Sequence, residues 1–106
     1  MSLWSLFSRF WRDRSWHSLV ERIAISCAAH LHTTIDSSIH TMSAAERYGY
    51  LRAKSTALVV RESRLHGANF SRERSERLVH DVRERVVALL IDQLRRPYAA
   101  AARRAA

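Results

Sequence analysis

Apolar positions recur every three or four residues along most of the chain, a spacing that predicts helix almost throughout. The clearest stretch is 71–96. Phe70-Ser71 followed by charged residues reads as a helix start, with the serine hydroxyl accepting an otherwise unpaired backbone N–H. Pro97 has no N–H to give the ladder and disfavours helix at Arg96, so the helix is predicted to close there. Within it Leu78, Val79, Val82, Val86, Leu89 and Leu90 form one face. Val87, Ile91 and Leu94 form a second stripe, about 100° or more around the axis. The first half is laced with charge: Arg72–Glu76, Glu73–Arg77, Arg77–Asp81 and Asp81–Arg85 each sit four apart and support a solvated surface.

The first thirteen residues carry a different pattern. On a helical wheel Leu3, Trp4, Phe7, Phe10 and Trp11 share a narrow sector, with Ser5, Ser8, Arg9 and Arg12 opposite. This predicts a short amphipathic helix. An aromatic face backed by arginine suits docking on a bundle or a partner, and equally an anionic membrane surface. Its Arg- and Ser-rich, acid-poor composition is also that of an organelle transit peptide.

Ser15 is positioned to cap a second helix, whose buried stripe is Trp16, Leu19, Val20, Ile23, Cys27 and Leu31. Beyond Leu31 only Ile35 and Ile39 continue, at intervals that drift off that face. Thr33, Thr34, Ser37 and Ser38 compete for backbone hydrogen bonds, so a kink or an end is expected here. Ser43-Ala-Ala-Glu46 is a capping box opening a third helix over 44–66. Leu51, Leu58 and Leu65 recur along it every seven residues, and Ala53 and Ala57 would let a neighbour approach closely. Gly67 suits a left-handed stop, and the brief Gly67-Ala68-Asn69 connection implies that helices three and four run antiparallel.

The predicted fold is therefore all-α: a small antiparallel bundle of three long helices plus a short amphipathic N-terminal one. Residues 1–96 form one domain, with 1–13 its amphipathic segment, and 97–106 an Ala/Arg-rich tail. A chain of 106 residues with two glycines and one proline agrees with this and argues against an all-β fold.

Charge changes the picture at the ends. The net charge is +8. Residues 21–94 hold eleven basic and nine acidic side chains, whereas Arg95, Arg96, Arg103 and Arg104 follow with no acid at all. Arg9 and Arg12 near the start and these four at the end are the candidate anion contacts, for nucleic acid or an anionic membrane surface. Arginine's planar fork suits phosphate and carboxylate.

Chemistry-bearing residues are sparse. Acids and histidines sit four apart at His17–Glu21, His32–Asp36, Asp36–His40, Glu62–His66 and Glu76–His80, but the Glu-x-x-His spacing of carboxylate-bridged bundles is absent. No metal or cofactor is assigned; His66, His80, Glu62 and Glu76 would be the best metal set. Cys27 lies in an apolar stripe, where a thiol is usually an inert small hydrophobe, and being the lone cysteine it forms no intrachain disulfide. No phosphate-binding glycine loop or nucleophile elbow occurs.

The chain is thus expected to be a cytoplasmic, non-enzymatic interaction or accessory subunit without a small-molecule substrate. A bundle of this size has too few inner faces for all its stripes, so Trp4, Phe7 and Trp11, with Val87, Ile91 and Leu94, are expected to contact a protein partner or a second copy. The alternative is binding of nucleic acid or an anionic membrane surface through the basic arms.

Overall fold

The computed structural model describes the backbone of residues 3–105 and the side chains of residues 3, 5 and 11–96. Three helices form it: α1 (Leu3–Leu31), α2 (Ala44–His66) and α3 (Arg72–Ala105), with two 3-10 turns, His32–Thr34 and Ser37–Thr41, between α1 and α2. No strand occurs among the described residues.

Two expected breaks are absent. Ser15 does not start a new helix; α1 runs continuously from Leu3, merging the amphipathic segment with the second predicted helix. Ser15 is a weak stop because no glycine or proline accompanies it, and starting a second helix would repeat the cost of nucleation. Pro97 does not end α3 either. A proline inside a helix removes one ladder bond at a cost of about 3 kcal/mol. The alanine-rich stretch after it is the best helix-forming composition available, and the ladder resumes there.

The other signals act as the pattern predicts. Ser43 Oγ accepts the Glu46 N–H at 3.2 Å, and Ser71 Oγ accepts the Arg74 N–H at 3.3 Å. Where threonines and serines replace apolar residues the α-helix stops, and their hydroxyls turn back on the chain: Thr34 to Leu31 O at 2.9 Å, Thr41 to Ser38 O at 2.8 Å. Ile39 alone of the two turns is buried.

α3 is the central member, packing against both α1 and α2, which meet each other less. Leu78, Val82, Val86 and Leu90 form its sealed row. Val87 is 1% exposed and belongs to the same core, with Ile91 and Leu94 half-buried against it. The second stripe is therefore sealed at Val87 and packed in part against the core at Ile91 and Leu94. Its physical reason is nearby: Glu84, on the same side as Val87 and Ile91, accepts the Tyr48 hydroxyl at 2.6 Å and lies 4.0 Å from Arg52, both on α2.

α2 buries a row other than the leucine heptad. Leu51, Ser55, Val59 and Ser63 point inward, Leu58 is half-buried, and Leu65 is 67% exposed. Ala53 and Ala57, expected at the close approach, are exposed. At position 55 serine serves the inner face because its hydroxyl bonds back to its own helix, Ser55 Oγ donating to Arg52 O at 3.1 Å.

Gly67 closes α2 without the left-handed backbone expected of it, with φ −110° and ψ 31°. Glycine is needed for space instead. A Cβ there would lie 2.8 Å from Phe70 Cδ2 and 3.0 Å from Ser63 O. Around Gly49 nothing lies within 4 Å. Gly67→Ala is therefore expected to lower stability by about 1–3 kcal/mol through overpacking. Gly49→Ala, inside α2, should raise it by about 0.5–1 kcal/mol. Urea unfolding of both variants checks the contrast, and equal effects would refute it.

One two-pronged ion pair joins α1 to α3: Arg85 Nε and Nη2 donate to Glu21 at 2.6 and 2.9 Å. The Arg85 hydrogen bond holds the Glu21 carboxyl below the usual carboxylate range. A lowered pKa means stability that is present above the unfolded-state value and lost as pH falls through the folded one. Since the pair is largely solvated, Glu21→Gln should cost at most about 1 kcal/mol at pH 7. The difference from the parent protein should vanish as the pH drops below the carboxylate range. Denaturant midpoints at pH 7 and pH 3 measure it, and a gap that persists at pH 3 would assign the loss to packing.

Candidate interaction surfaces

Because α1 is unbroken, residues on either side of Ser15 share one register. The core face of α1 is Val20, Ile23, Ala24, Cys27, Ala28 and Leu31, all buried. Ile25 stands about 200° around the helix from both Ile23 and Cys27, and Trp11 falls within about 40° of Ile25. Both point away from the core, with Ile25 54% and Trp11 53% exposed. Arg14, Ser15, Ser18 and Arg22 fill the positions between them at three- and four-residue intervals, and all are exposed. A shallow depression on this face is lined by Trp11, Arg14, Ser15, Ser18, Leu19 and Arg22.

The outer face of α1 holds no acid. Its two acidic residues look elsewhere: Glu21 is bound to Arg85, and Asp13 lies in a cleft against the start of α3. The face thus combines an indole, a branched aliphatic side chain, two guanidinium groups and small hydroxyls. That mix can cover apolar surface while engaging negative charge at its edges.

Of the expected partner contacts, Trp11 lies on this face. The side chains of Trp4 and Phe7 lie outside the described residues. Val87, Ile91 and Leu94 are gathered separately, at the α3 core. Ile25 and Arg22 belong to the surface but were not predicted. Their signal is in the sequence, at 14 and 11 residues after Trp11, and it is hidden when the helix is split at Ser15.

The expected anion contacts divide in the same way. Arg12 and Arg95 are exposed, with no carboxylate within ion-pair distance among the described residues, whereas Arg96 reaches Asp92 at 2.9 Å. The side chains of Arg9, Arg103 and Arg104 lie outside the described residues. Elsewhere in the body several charges pair, as in Arg72–Glu76 at 3.4 Å, Arg77–Asp81 at 3.7 Å and Arg61–Glu62 at 3.8 Å.

His66 and His80 are both exposed. Among the described residues no group of three or more His, Cys, Asp or Glu side chains is placed to hold a metal ion. No described helix is long and apolar enough to cross a membrane. Comparison with protein-family models, with curated proteins and with solved structures gives no significant match to this chain.

Cys27 is fully enclosed between α1 and its neighbours. Burial, helped by the charge of Glu62, pushes its thiol up to about 11. The nucleophilic thiolate is therefore scarce at neutral pH. Native protein at pH 8 should react with an aromatic disulfide reagent at least about 100-fold more slowly than the same chain in denaturant, since reaction requires opening. Comparable rates in the two states would place Cys27 at the surface.

Proposed function

We propose that the chain is a cytoplasmic, non-enzymatic helical interaction subunit that docks on a protein partner through the outer face of α1. The observation that carries this is the pair of large apolar side chains, Trp11 and Ile25, more than half exposed on a face without acids. Exposed apolar area of this kind is left where another surface covers it. Charge selects the occupant. Two copies packed by this face would set Arg14 and Arg22 against their own equivalents, whereas a partner with an apolar strip rimmed by Asp and Glu would meet them with opposite charge.

In this reading the helices run up-down-up, and the face follows one unbroken helix. Trp16 donates to Asp81 at 2.9 Å and Glu21 pairs with Arg85, so positions on α1 and α3 climb together. Tyr48 bonds Glu84, while Gly67 sits against Leu78, the opposite sense for α2. A cytoplasmic setting agrees with the single thiol, which needs no oxidising compartment.

A photo-crosslinking residue at Ser18 tests docking in cells, with one at exposed Ala57 on α2 as control. A discrete protein adduct from position 18 is expected, and Arg14→Glu with Arg22→Glu should reduce it about tenfold or more. Those changes and Ile25→Ser should alter stability by no more than about 0.5 kcal/mol, as solvated sites do. An adduct of two copies of the chain would replace the acidic partner with self-association. No adduct, or an equal one from Ala57, would refute docking here.

A second function class is favoured by one observation: Arg12 and Arg95, at opposite ends of the described side chains, have no carboxylate in ion-pair reach among the described residues. Basic arms of this kind engage nucleic acid or anionic lipid through counterion release, so affinity should fall steeply with salt. Duplex DNA or phosphatidylglycerol vesicles crosslinked or retained at low salt, in place of protein, would transfer the function to the arms.

A further inference from the structure

One cluster lies apart from the outer face of α1. Where the first turns of α3 cross α1, a cleft of about 420 Å³ is lined by Arg12, Asp13 and Trp16 from α1 and by Ser71, Glu73, Arg74 and Arg77 from α3. We propose that this cleft binds a phosphoryl-group anion, held by the guanidinium groups of Arg12, Arg74 and Arg77.

Trp16 organises the site. Its indole N–H donates to Asp81 at 2.9 Å, and its ring lies 5.9 Å from that of Phe70, tilted by 30°. The Arg74 guanidinium sits 5.4 Å from the centre of Trp16 and 4.6 Å from that of Phe70. The Arg77 guanidinium sits 5.0 Å from the same indole. Two positive groups are thus stationed on one aromatic ring, each drawn by its π face. Placing them there before a ligand arrives removes part of the ordering cost that free arginines would impose on binding.

Local sequence explains why this positive charge is left over. Arg72, Arg77, Arg85 and Arg96 of α3 each have an acid four residues away, and Arg85 also has Glu21 across the helix interface. Arg74 has Phe70 and Leu78 at those intervals, and Arg12 has Ser8 and Trp16. Neither makes an ion pair among the described residues. Arg77 has Asp81 at 3.7 Å, but that carboxylate also takes the Trp16 N–H, so its charge is shared. The start of α3 adds partial positive charge to the same rim.

The number of donors selects the ligand. A carboxylate offers two oxygens and is satisfied by one guanidinium fork. Three guanidinium groups around one cleft call for a tetrahedral oxyanion with three or more acceptor oxygens. Asp13 and Glu73 leave the lining one positive charge in excess, and Asp81, 3.7 Å from Arg77, offsets part of it. This suits one compact group rather than a long polyanion. The aromatic surface is already taken by arginine, so a nucleobase would have nothing to stack on. A soluble phosphate and a phospholipid headgroup both present such a group.

The full chain, labelled with ¹⁵N, is titrated with inorganic phosphate at constant ionic strength, with chloride as the reference salt. The expected result is saturable movement of the Arg12, Arg74 and Arg77 Nε–H signals and the Trp16 indole signal, with half-saturation near 1 mM or below. Arg74→Gln with Arg77→Gln should weaken binding at least tenfold. Should that pair disturb the fold, Arg12→Gln, which touches neither ring, should still weaken it several-fold. In a second arm, vesicles of phosphatidylcholine with and without phosphatidic acid are sedimented with the protein. Retention that requires phosphatidic acid and is displaced by free phosphate identifies the headgroup as a source, whereas binding of phosphate alone identifies a soluble one. Drift without saturation, equal movement of all arginine signals, or binding unchanged in the Gln variants would overturn the proposal. Because none of these residues lies on the outer face of α1, these outcomes are independent of protein docking there.

Discussion

The molecule closes on a row of four α3 side chains, Leu78, Val82, Val86 and Leu90, spaced by four and sealed from water throughout. With 3.6 residues per turn such a row winds slowly around its helix, so whatever seals it must lie obliquely and carry a row of the same kind. α1 supplies Val20-Ala24-Ala28 and Ile23-Cys27-Leu31; α2 supplies Leu51-Ser55-Val59-Ser63. In each partner small residues stand among larger ones, which gives the α3 side chains room to interdigitate. Each fully buried leucine or valine contributes roughly 1.5–3 kcal/mol relative to exposure. The single central row therefore carries a large share of a stability that is marginal for any domain of this size. Ser63 Oγ has no hydrogen-bond partner among the described residues, and nothing in the structure explains why alanine does not stand there.

Polar contacts along the edges of α3 set register more than stability. Asp81 takes the Trp16 indole, Arg85 grips Glu21, and Glu84 takes the Tyr48 hydroxyl. All of these pairs are partly solvated, so each adds little free energy. Their value is positional. A slip of four residues along α3 would break all of them together, whereas the apolar row, whose members recur every four residues, would tolerate it better. Three neighbouring residues of one helix thus tie it to both of its partners.

Much of this was legible in the chain, and the failures share a cause. Caps at Ser43 and Ser71 and the loss of helix after Leu31 rest on local chemistry, which sequence reports directly. Ser15 and Pro97 are local signals too, but whether a helix ends depends on what lies beyond it. No breaker follows Ser15, and helix-forming alanines follow Pro97. The inner face of α2 was hidden because Ser55 and Ser63 count as polar while Leu65 counts as core. Packing distance decides otherwise, and the leucine is left outside. The Val87 stripe looked superfluous only because the number of neighbours around α3 cannot be read from α3. The same dependence hid the outer face of α1: Ile25 aligns with Trp11 only along an unbroken helix.

Arginine illustrates how one residue type is sorted into separate roles by its neighbours. Where an acid stands four positions away or across the interface, the guanidinium is neutralised and serves the fold, as at Arg72 and Arg85. Where the position holds an aromatic ring, as Phe70 does for Arg74 and Trp16 for Arg12, the charge is left uncompensated. For Arg74 the ring also fixes its place. A ring attracts a cation through its quadrupole but does not cancel its field, so a guanidinium on an indole remains able to bind an anion. Net charge therefore says little about where such a protein binds. More informative is which cations lack an acid at helical spacing, as Arg12 and Arg74 do, although Arg77 reaches the same cleft with Asp81 four positions away.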